Sequence, residues 1–203
     1  MKKSRRARKN DSGHALLMAV LRHVPFDGWT DEALDRAGDD CGIDAQDIFP
    51  RGPQDAIAAF SAWADEETLN KLGKPEKTKQ RIRDKIADGV WTRLNILAPH
   101  REALGAALKH MAPPPRHLVL GRMVWQTADA LWRHADDTAT DYNHYTKRFL
   151  LSGVITTTTL FWLKDSSEGF SETRDFLDRR IDNVLTAGRT LSRLKPGARK
   201  KAS

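Results

Sequence analysis

The chain has 203 residues, of which 39% are hydrophobic and 30% are charged, and its formal net charge is +7. This length and composition exclude a disordered chain and indicate a globular protein of one domain or slightly more. The single cysteine, Cys41, excludes an internal disulfide framework and is typical of a reducing compartment. The longest uncharged run, 149–163, is too short and too rich in hydroxyl groups for a membrane span, and we expect no secretory signal.

Every strong periodicity in the chain is helical, so the sequence predicts an all-α protein. In chain order the predicted helices cover residues 14–24, 31–41, 45–49, 53–71, 76–97, 100–111, 116–134, 140–165 and 171–194. Pro25 is expected to close the first helix, and Thr30 suits the N-cap of the second, which Gly42 ends. The triple proline at 113–115 separates the sixth helix from the seventh.

The positive charge is concentrated at the two ends of the chain. Residues 1–9 and 189–203 each carry six cations and no acid, so the net charge of +7 becomes −5 for the body once these twelve are set aside. The sequence therefore predicts a basic disordered tail at 1–10 and another at 196–203. Such tails are solvated in the simplest interpretation; peripheral contact with an anionic membrane is the alternative.

The first three predicted helices have the outline of a helix-turn-helix over residues 11–52. Residues 27–55 hold nine acids against two arginines, and Asp44 and Asp47 occupy the recognition position. Phosphate contacts dominate affinity for DNA, so this excess of negative charge argues against DNA binding. We interpret the unit as a degenerate helix-turn-helix, followed by a helical domain over 53–195.

The seventh and eighth predicted helices carry the most informative patterns. The seventh is apolar around most of its circumference, which predicts a central helix wrapped by others. In the eighth, one face is predicted to be polar and the opposite face apolar; the polar set is Asp141, His144, Tyr145, Arg148 and Ser152, and the apolar set is Leu150, Val154, Thr157 and Phe161. Thr156–Thr159 can return their hydroxyls to preceding carbonyls, which suits either close helix packing or the wall of an apolar cavity.

The sequence shows no catalytic signature. It has no phosphate-binding glycine loop, no nucleophile elbow and no zinc motif. Asp141 and His144 form one D-x-x-H pair, far short of the ligands that a di-iron site needs. We therefore expect no enzyme activity, no catalytic residues, no metal and no cofactor.

One long segment resembles a known family. It reads DALWRHADDTATDYNHYTKRFLLSGVITTTTLFWLKDSSEGFSETRDFLDRRIDNV, and its D-x-x-W, D-x-x-x-Y-T-K-R and W-L-x-D-x-S elements are highly specific. The segment is similar to the C-terminal domain of the ubiquinone (coenzyme Q) biosynthesis accessory family, the ninth protein of the COQ set. With the preceding DIFPRGPQDAIAAF, the resemblance covers about residues 13–190.

The resemblance implies a TetR-like fold, with a degenerate helix-turn-helix before a lipid-binding domain that dimerises through its last helices. It implies a non-catalytic protein that binds an isoprenoid lipid or quinone intermediate and assists the hydroxylase acting on demethoxyubiquinone. The partner-binding residues it implies are Asp129, Leu131, His134, Asp141, His144, Tyr145 and Arg148. An apolar cavity is predicted between the helices of 76–164, lined by Met123, Leu150, Val154, Thr157 and Phe161.

Two departures from the family pattern stand out. His144 occupies a position where tryptophan is common, and a basic tail stands where eukaryotic relatives continue into a membrane-gripping amphipathic helix. We interpret the chain as a bacterial form in the cytoplasm, with peripheral contact to the inner membrane left open. Two alternatives remain: a TetR-type transcriptional regulator with a small-molecule ligand, its basic N-terminal tail acting as a minor-groove arm, and a scaffold without any ligand.

Overall fold

The structure is a computed structural model that describes residues 2–74, 80–135 and 142–193. Within these ranges the chain forms helices and turns and no strand, and the all-α prediction is confirmed. The α-helices are α1 Lys2–Asp27, α2 Asp31–Cys41, α3 Ala45–Ile48, α4 Pro53–Leu72, α5 Ile82–Leu97, α6 Arg101–Met111, α7 Arg116–His134, α8 Tyr142–Trp162 and α9 Ser171–Arg193. Short 3₁₀ turns occupy Ala98–His100 and Glu168–Phe170.

The helix boundaries follow the predicted ones closely except at the amino end and at the start of α5, which begins at Ile82 and not at the predicted residue 76. Helix α1 begins at Lys2, where the sequence suggests a disordered tail, and it continues through Pro25 to Asp27. Pro25 is tolerated because it lies in the last turn, and the N–H of Gly28 then bonds to the carbonyl of Val24 at 2.9 Å. The predicted C-terminal tail at 196–203 lies outside the described residues.

The chain divides into two compact units. The first unit comprises Met1–Lys74 and Thr92–Thr127, and the second comprises Pro75–Trp91 and Ala128–Ser203. Helices α5 and α7 therefore each contribute residues to both units.

The first unit begins with α1 packed on α2. The hydroxyl of Thr30 caps α2 by accepting a hydrogen bond from the N–H of Ala33, and Gly42 ends the helix in the left-handed conformation with φ 64°. Gly38 allows the close return of the chain, since a Cβ there would lie 2.6 Å from the carbonyl oxygen of Ile43. Asp44 caps the four-residue α3. The predicted helix-turn-helix outline is therefore formed.

A buried ion pair joins three further helices of the first unit. Arg93 on α5 donates to Asp65 on α4 at 2.7 Å and to the hydroxyl of Ser61 at 3.1 Å. Thr127 on α7 donates to the same carboxylate at 2.9 Å. Every member of the cluster is satisfied, which is the condition for burying such charges at tolerable cost.

The second unit is built around α8 and α9, which pack together. Among the side chains described on these helices, the buried ones are Arg148, Leu151, Val154, Ile155, Thr158, Thr159 and Trp162 on α8, and Thr173, Leu177 and Ile181 on α9. Helix α5 is tied to α9 by Arg83, whose guanidinium reaches both carboxylate oxygens of Asp182 at 2.6 and 3.0 Å.

The turn between α8 and α9 is organised by one buried carboxylate. Asp165 accepts hydrogen bonds from the backbone N–H and hydroxyl of Ser167 and from the same two groups of Thr173. Burial alone would raise the pKa of Asp165, but these four donors outweigh it and lower the pKa to about 2. The carboxylate thus sets the start of α9.

Candidate functional site

The candidate site lies on α7 and α8 of the second unit, where the family resemblance places a partner-binding patch. Arg148 is only 1% exposed, and its Nε donates to Oδ1 of Asp129 at 2.5 Å. The other oxygen of Asp129 lies 2.8 Å from the exposed Arg133, one turn along α7. The buried Arg148 therefore links α8 to α7 beneath their exposed surface.

A second polar contact fixes the same two helices. The indole N–H of the buried Trp132 donates to the carbonyl of Lys147 at 3.1 Å, and the ammonium of Lys147 lies 5.3 Å from the centre of the indole ring. Buried Trp side chains generally need a partner for this N–H. The contact sets the register between the end of α7 and the start of α8.

Leu131 and His134 support the patch from within the second unit. Leu131 is buried against Gly89, where an added Cβ would lie 2.8 Å from a Leu131 methyl group. His134 is half-buried; burial lowers its pKa, and the nearby charge of Lys85 lowers it further. The imidazole is therefore neutral at pH 7.

The exposed part of the site is aromatic. Tyr145 is 64% exposed and Phe149, one turn further along α8, is 71% exposed. Residues at i and i+4 are neighbours on a helix surface, so the two rings form one patch, which we call the aromatic pair. The resemblance did not assign Phe149, although its spacing from Tyr145 was the signal that could have found it.

Two of the predicted partner-binding residues are not placed. Asp141 lies outside the described residues, and the side chain of His144 lies outside the described side chains. Together with the burial of Leu131 and Arg148, this leaves Tyr145 as the most exposed of the predicted set whose side chain is described. The partner-binding role of all seven residues stays a prediction.

The predicted lipid-lining residues occupy different environments. Met123 belongs to the first unit and is buried; Val154 of the second unit is buried too. Leu150 is half-buried, and Thr157 is exposed with its hydroxyl bonded to the carbonyl of Gly153 at 2.8 Å. Phe161 is half-buried and stacks on Phe176 of α9, with ring centres 4.5 Å apart.

The buried face of α8 is rotated relative to the predicted one. The helical projection assigned Arg148 to an exposed polar face, and so placed Leu150 and Thr157 toward the interior. Pairing with Asp129 instead lets Arg148 be buried, and Leu151, Ile155 and Thr158 follow it into the core. The cavity lined by the five predicted residues stays a prediction.

The threonine run follows the predicted hydrogen bonding in part. Thr156 donates to the carbonyl of Ser152 at 2.8 Å, and Thr157 donates to Gly153. Thr158 is fully buried, and its hydroxyl has no hydrogen-bond partner among the described residues. The carbonyl of Val154, one turn before Thr158, lies 3.3 Å from the hydroxyl of Thr157.

The described residues hold neither a metal-binding cluster nor a helix that could span a membrane. They contain no cluster of three or more His, Cys, Asp or Glu side chains able to hold a metal ion. None of the helices, as far as the structure describes them, has the length and apolar character needed to cross a bilayer.

Comparison with known proteins identifies the relatives of this chain. The model of the COQ9 family matches residues 120–188, which include the candidate site on α7 and α8. The chain is 34% identical over 197 residues to the mitochondrial ubiquinone biosynthesis protein COQ9 of Rattus norvegicus, covering 90% of this chain and 61% of that protein. The Homo sapiens protein of the same name is 31% identical over 193 residues, covering 90% and 60%.

Two further facts qualify these matches. The chain spans about three-fifths of the length of these curated relatives. The solved structure of the TetR transcriptional regulator from Nitrosomonas europaea superposes on this chain with a TM-score of 0.66 at 18% identity. The superposition covers 86% of this chain and 98% of that one, which confirms a TetR-like fold. In sequence, the chain is similar to the COQ9 family over residues 120–188 and to proteins of that name over 90% of its own length.

Proposed function

We propose that this protein is a non-catalytic accessory protein of ubiquinone biosynthesis. In this role it binds an isoprenoid quinone precursor and presents it to a ring hydroxylase such as the one acting on demethoxyubiquinone. The observation that carries the proposal is the similarity to proteins named for ubiquinone biosynthesis over 90% of this chain. We place the protein in the cytoplasm, with peripheral contact to the inner membrane.

The aromatic pair supplies a docking surface for the hydroxylase. Tyrosine and other aromatic side chains are frequent anchors of protein interfaces, since they bury a large area at low entropic cost. The pair stands on a segment of α8 that Arg148 and Trp132 hold in place. A preorganised surface loses less conformational entropy on binding, which favours affinity.

The lipid-binding part of the proposal answers a physical problem. A polyprenyl precursor has a large apolar area, and its exposure to water costs about 25 cal/mol per Å². A protein that covers part of the chain lowers the cost of moving the precursor out of the bilayer. Within the second unit, apolar side chains of α8 are the proposed lining, among them the buried Val154 and the half-buried Phe161.

A homodimer formed through α8 and α9 is part of the same proposal. Helix α8 exposes Gly153, Thr156 and Thr157, followed by the exposed Leu160. Small residues permit close approach of a second helix, and the burial of Leu160 on association is favourable. Analytical ultracentrifugation of the full chain and of Leu160→Glu tests this directly: we expect a dimer for the first and a monomer for the second.

The experiment that tests the lipid-binding function is lipid analysis of protein purified from its own host. The full chain is purified without detergent, its bound lipids are extracted, and mass spectrometry identifies them. We expect an isoprenoid quinone or a quinone precursor, enriched over its share of the membrane lipids. Repeated recovery of protein without an isoprenoid lipid would overturn the carrier function.

Transcriptional regulation is the second candidate, because the solved structure that superposes on this chain is a TetR regulator. A likeness at this identity concerns the fold alone. In the helix-turn-helix, Asp44 caps α3 and Asp47 is exposed, where a phosphate-binding surface needs cations. A gel shift at low salt with DNA upstream of its own operon separates the two functions, since the accessory role predicts no sequence-specific complex.

A further inference from the structure

One stretch of the first unit differs in charge from the rest of the body. Between Glu102 and Asp129 the chain has no acidic residue, although the body as a whole has a net charge of −5 without its tails. The stretch carries three permanent cations, Lys109, Arg116 and Arg122, and two histidines. It includes most of α6, the triple proline and most of α7.

The middle of this stretch is exposed and partly apolar. After the buried Met111 the chain turns outward, and residues 112–115 are all exposed. The first turns of α7 then present Leu118, which is 68% exposed, and His117 and Arg122 are exposed too. This contradicts the prediction that α7 is wrapped along its length. We call Lys109, residues 113–115, His117, Leu118 and Arg122 the α6–α7 surface.

One polar contact stabilises the turn between α6 and α7. Arg116 at the start of α7 lies 2.9 Å from the Nε2 of His110 in the last turn of α6. Burial lowers the pKa of His110, and the charge of Arg116 lowers it further while Asp31 opposes the shift. A neutral His110 can accept the hydrogen bond from Arg116. The contact between Arg116 and His110 therefore stabilises the turn that precedes the exposed Leu118.

We propose that the α6–α7 surface docks on an anionic lipid membrane. Its cations match negative headgroups, each contributing to attraction near the charged surface, and no carboxylate within the stretch opposes them. Leu118 and the prolines enter the interfacial region, where an apolar side chain is more favourable than in water. A nucleic acid matches the cations equally well but leaves Leu118 in water, so a membrane fits both features.

This inference depends neither on lipid carriage nor on the basic tails. The test therefore uses the full chain with both tails and reads out the position of Leu118 itself. In a Cys41→Ser background, Leu118→Cys is labelled with an environment-sensitive fluorophore and mixed with vesicles of phosphatidylcholine and phosphatidylglycerol. Phe26→Cys is the matched control, because Phe26 is 89% exposed in the same unit and is followed by Asp27.

The expected result is a blue shift of the label at position 118 with anionic vesicles and none at position 26. With vesicles of phosphatidylcholine alone, neither position shifts. If the protein sediments with anionic vesicles while the label at 118 stays in water, the tails alone bind and the proposal is overturned. Equal shifts at both positions also overturn it, because they indicate binding of the label rather than of the surface.

Charge substitutions give a second, label-free test. Arg122→Gln and Lys109→Gln each should weaken sedimentation with anionic vesicles by up to about fivefold, as expected for one cation near the charged surface. Arg22→Gln is the control, since Arg22 is an exposed arginine of the same unit that lies 3.5 Å from Asp40. Unchanged sedimentation of the first two variants, or an equal loss for the control, contradicts the proposal. Loss of duplex DNA binding in the same variants, without loss of vesicle binding, points to nucleic acid and also contradicts it.

Discussion

Two buried arginine–aspartate pairs of the same chemistry have different roles in the two units. Arg93 and Asp65 are surrounded by the hydroxyls of Ser61 and Thr127, and the cluster lies among three helices of the first unit. Arg148 and Asp129 in the second unit lie beneath the surface that exposes Tyr145.

The charge of a side chain therefore does not by itself reveal its role in the structure. A buried pair is compatible with folding when all its groups are satisfied, and it then contributes more to geometry than to net stability. In the first unit the pair positions helices within the interior. In the second unit it positions an exposed surface, so substitutions there should separate stability from function.

The largest effect on stability is expected for Arg93→Ala. The substitution leaves the carboxylate of Asp65 buried without a cation, and breaking such a pair costs about 3–5 kcal/mol. Thermal unfolding followed by circular dichroism measures the loss. Arg36→Ala is the control, because the exposed pair of Arg36 with Asp27 contributes less than about 1 kcal/mol. Equal melting temperatures for the two variants would show that the buried cluster is not structural.

A smaller loss of about 2 kcal/mol is expected for Arg148→Ala. Asp129 keeps Arg133 as a second partner and is partly exposed, so solvent and that arginine compensate part of the lost contact. Chemical unfolding gives the free energy, with Arg133→Ala as the control on the same carboxylate. The comparison between the two units fails if Arg148→Ala is as damaging to stability as Arg93→Ala.

A buried carboxylate that accepts hydrogen bonds from hydroxyl and backbone N–H groups sharpens the comparison further. Asp165→Asn should cost about 1–2 kcal/mol at pH 7, because the amide cannot accept all four hydrogen bonds that Asp165 accepts. The pKa of Asp165 is lowered to about 2, so its stabilisation is complete above the unfolded pKa near 4 and is lost as pH falls toward 2.

Melting temperatures of the wild type and Asp165→Asn, measured from pH 7 down to about pH 2, test this directly. The difference between the two proteins should narrow below about pH 4. A difference that stays constant over this range would show that the charge of Asp165 is not what stabilises the turn.

Much of the fold was predictable from local signals. Thr30 and Gly42 bound α2 as their capping preferences predict, and α7 begins and ends where the periodicity placed it. Pro25 was misleading, because a proline in the last turn of a helix interrupts little.

The candidate site was less accessible to sequence reasoning. A helical projection assigns a charged residue to the surface, and only the position of Asp129 on the neighbouring helix reveals that Arg148 is buried. The exposure of Phe149 and Leu118 was missed for the opposite reason, since apolar residues are assigned to the core. Both errors concern tertiary partners, which periodicity within one helix does not contain.

The most direct test of the account is quinone analysis in a strain of the native host that lacks this gene. The strain is complemented with the wild type, with a Tyr145→Ala and Phe149→Ala double variant, or with the control Phe26→Ala, and its quinones are measured by mass spectrometry. We expect the wild type and the control to restore ubiquinone, while the double variant accumulates the hydroxylase substrate with an unchanged melting temperature. Full restoration of ubiquinone by the double variant, or normal ubiquinone in the strain without the gene, would contradict the account.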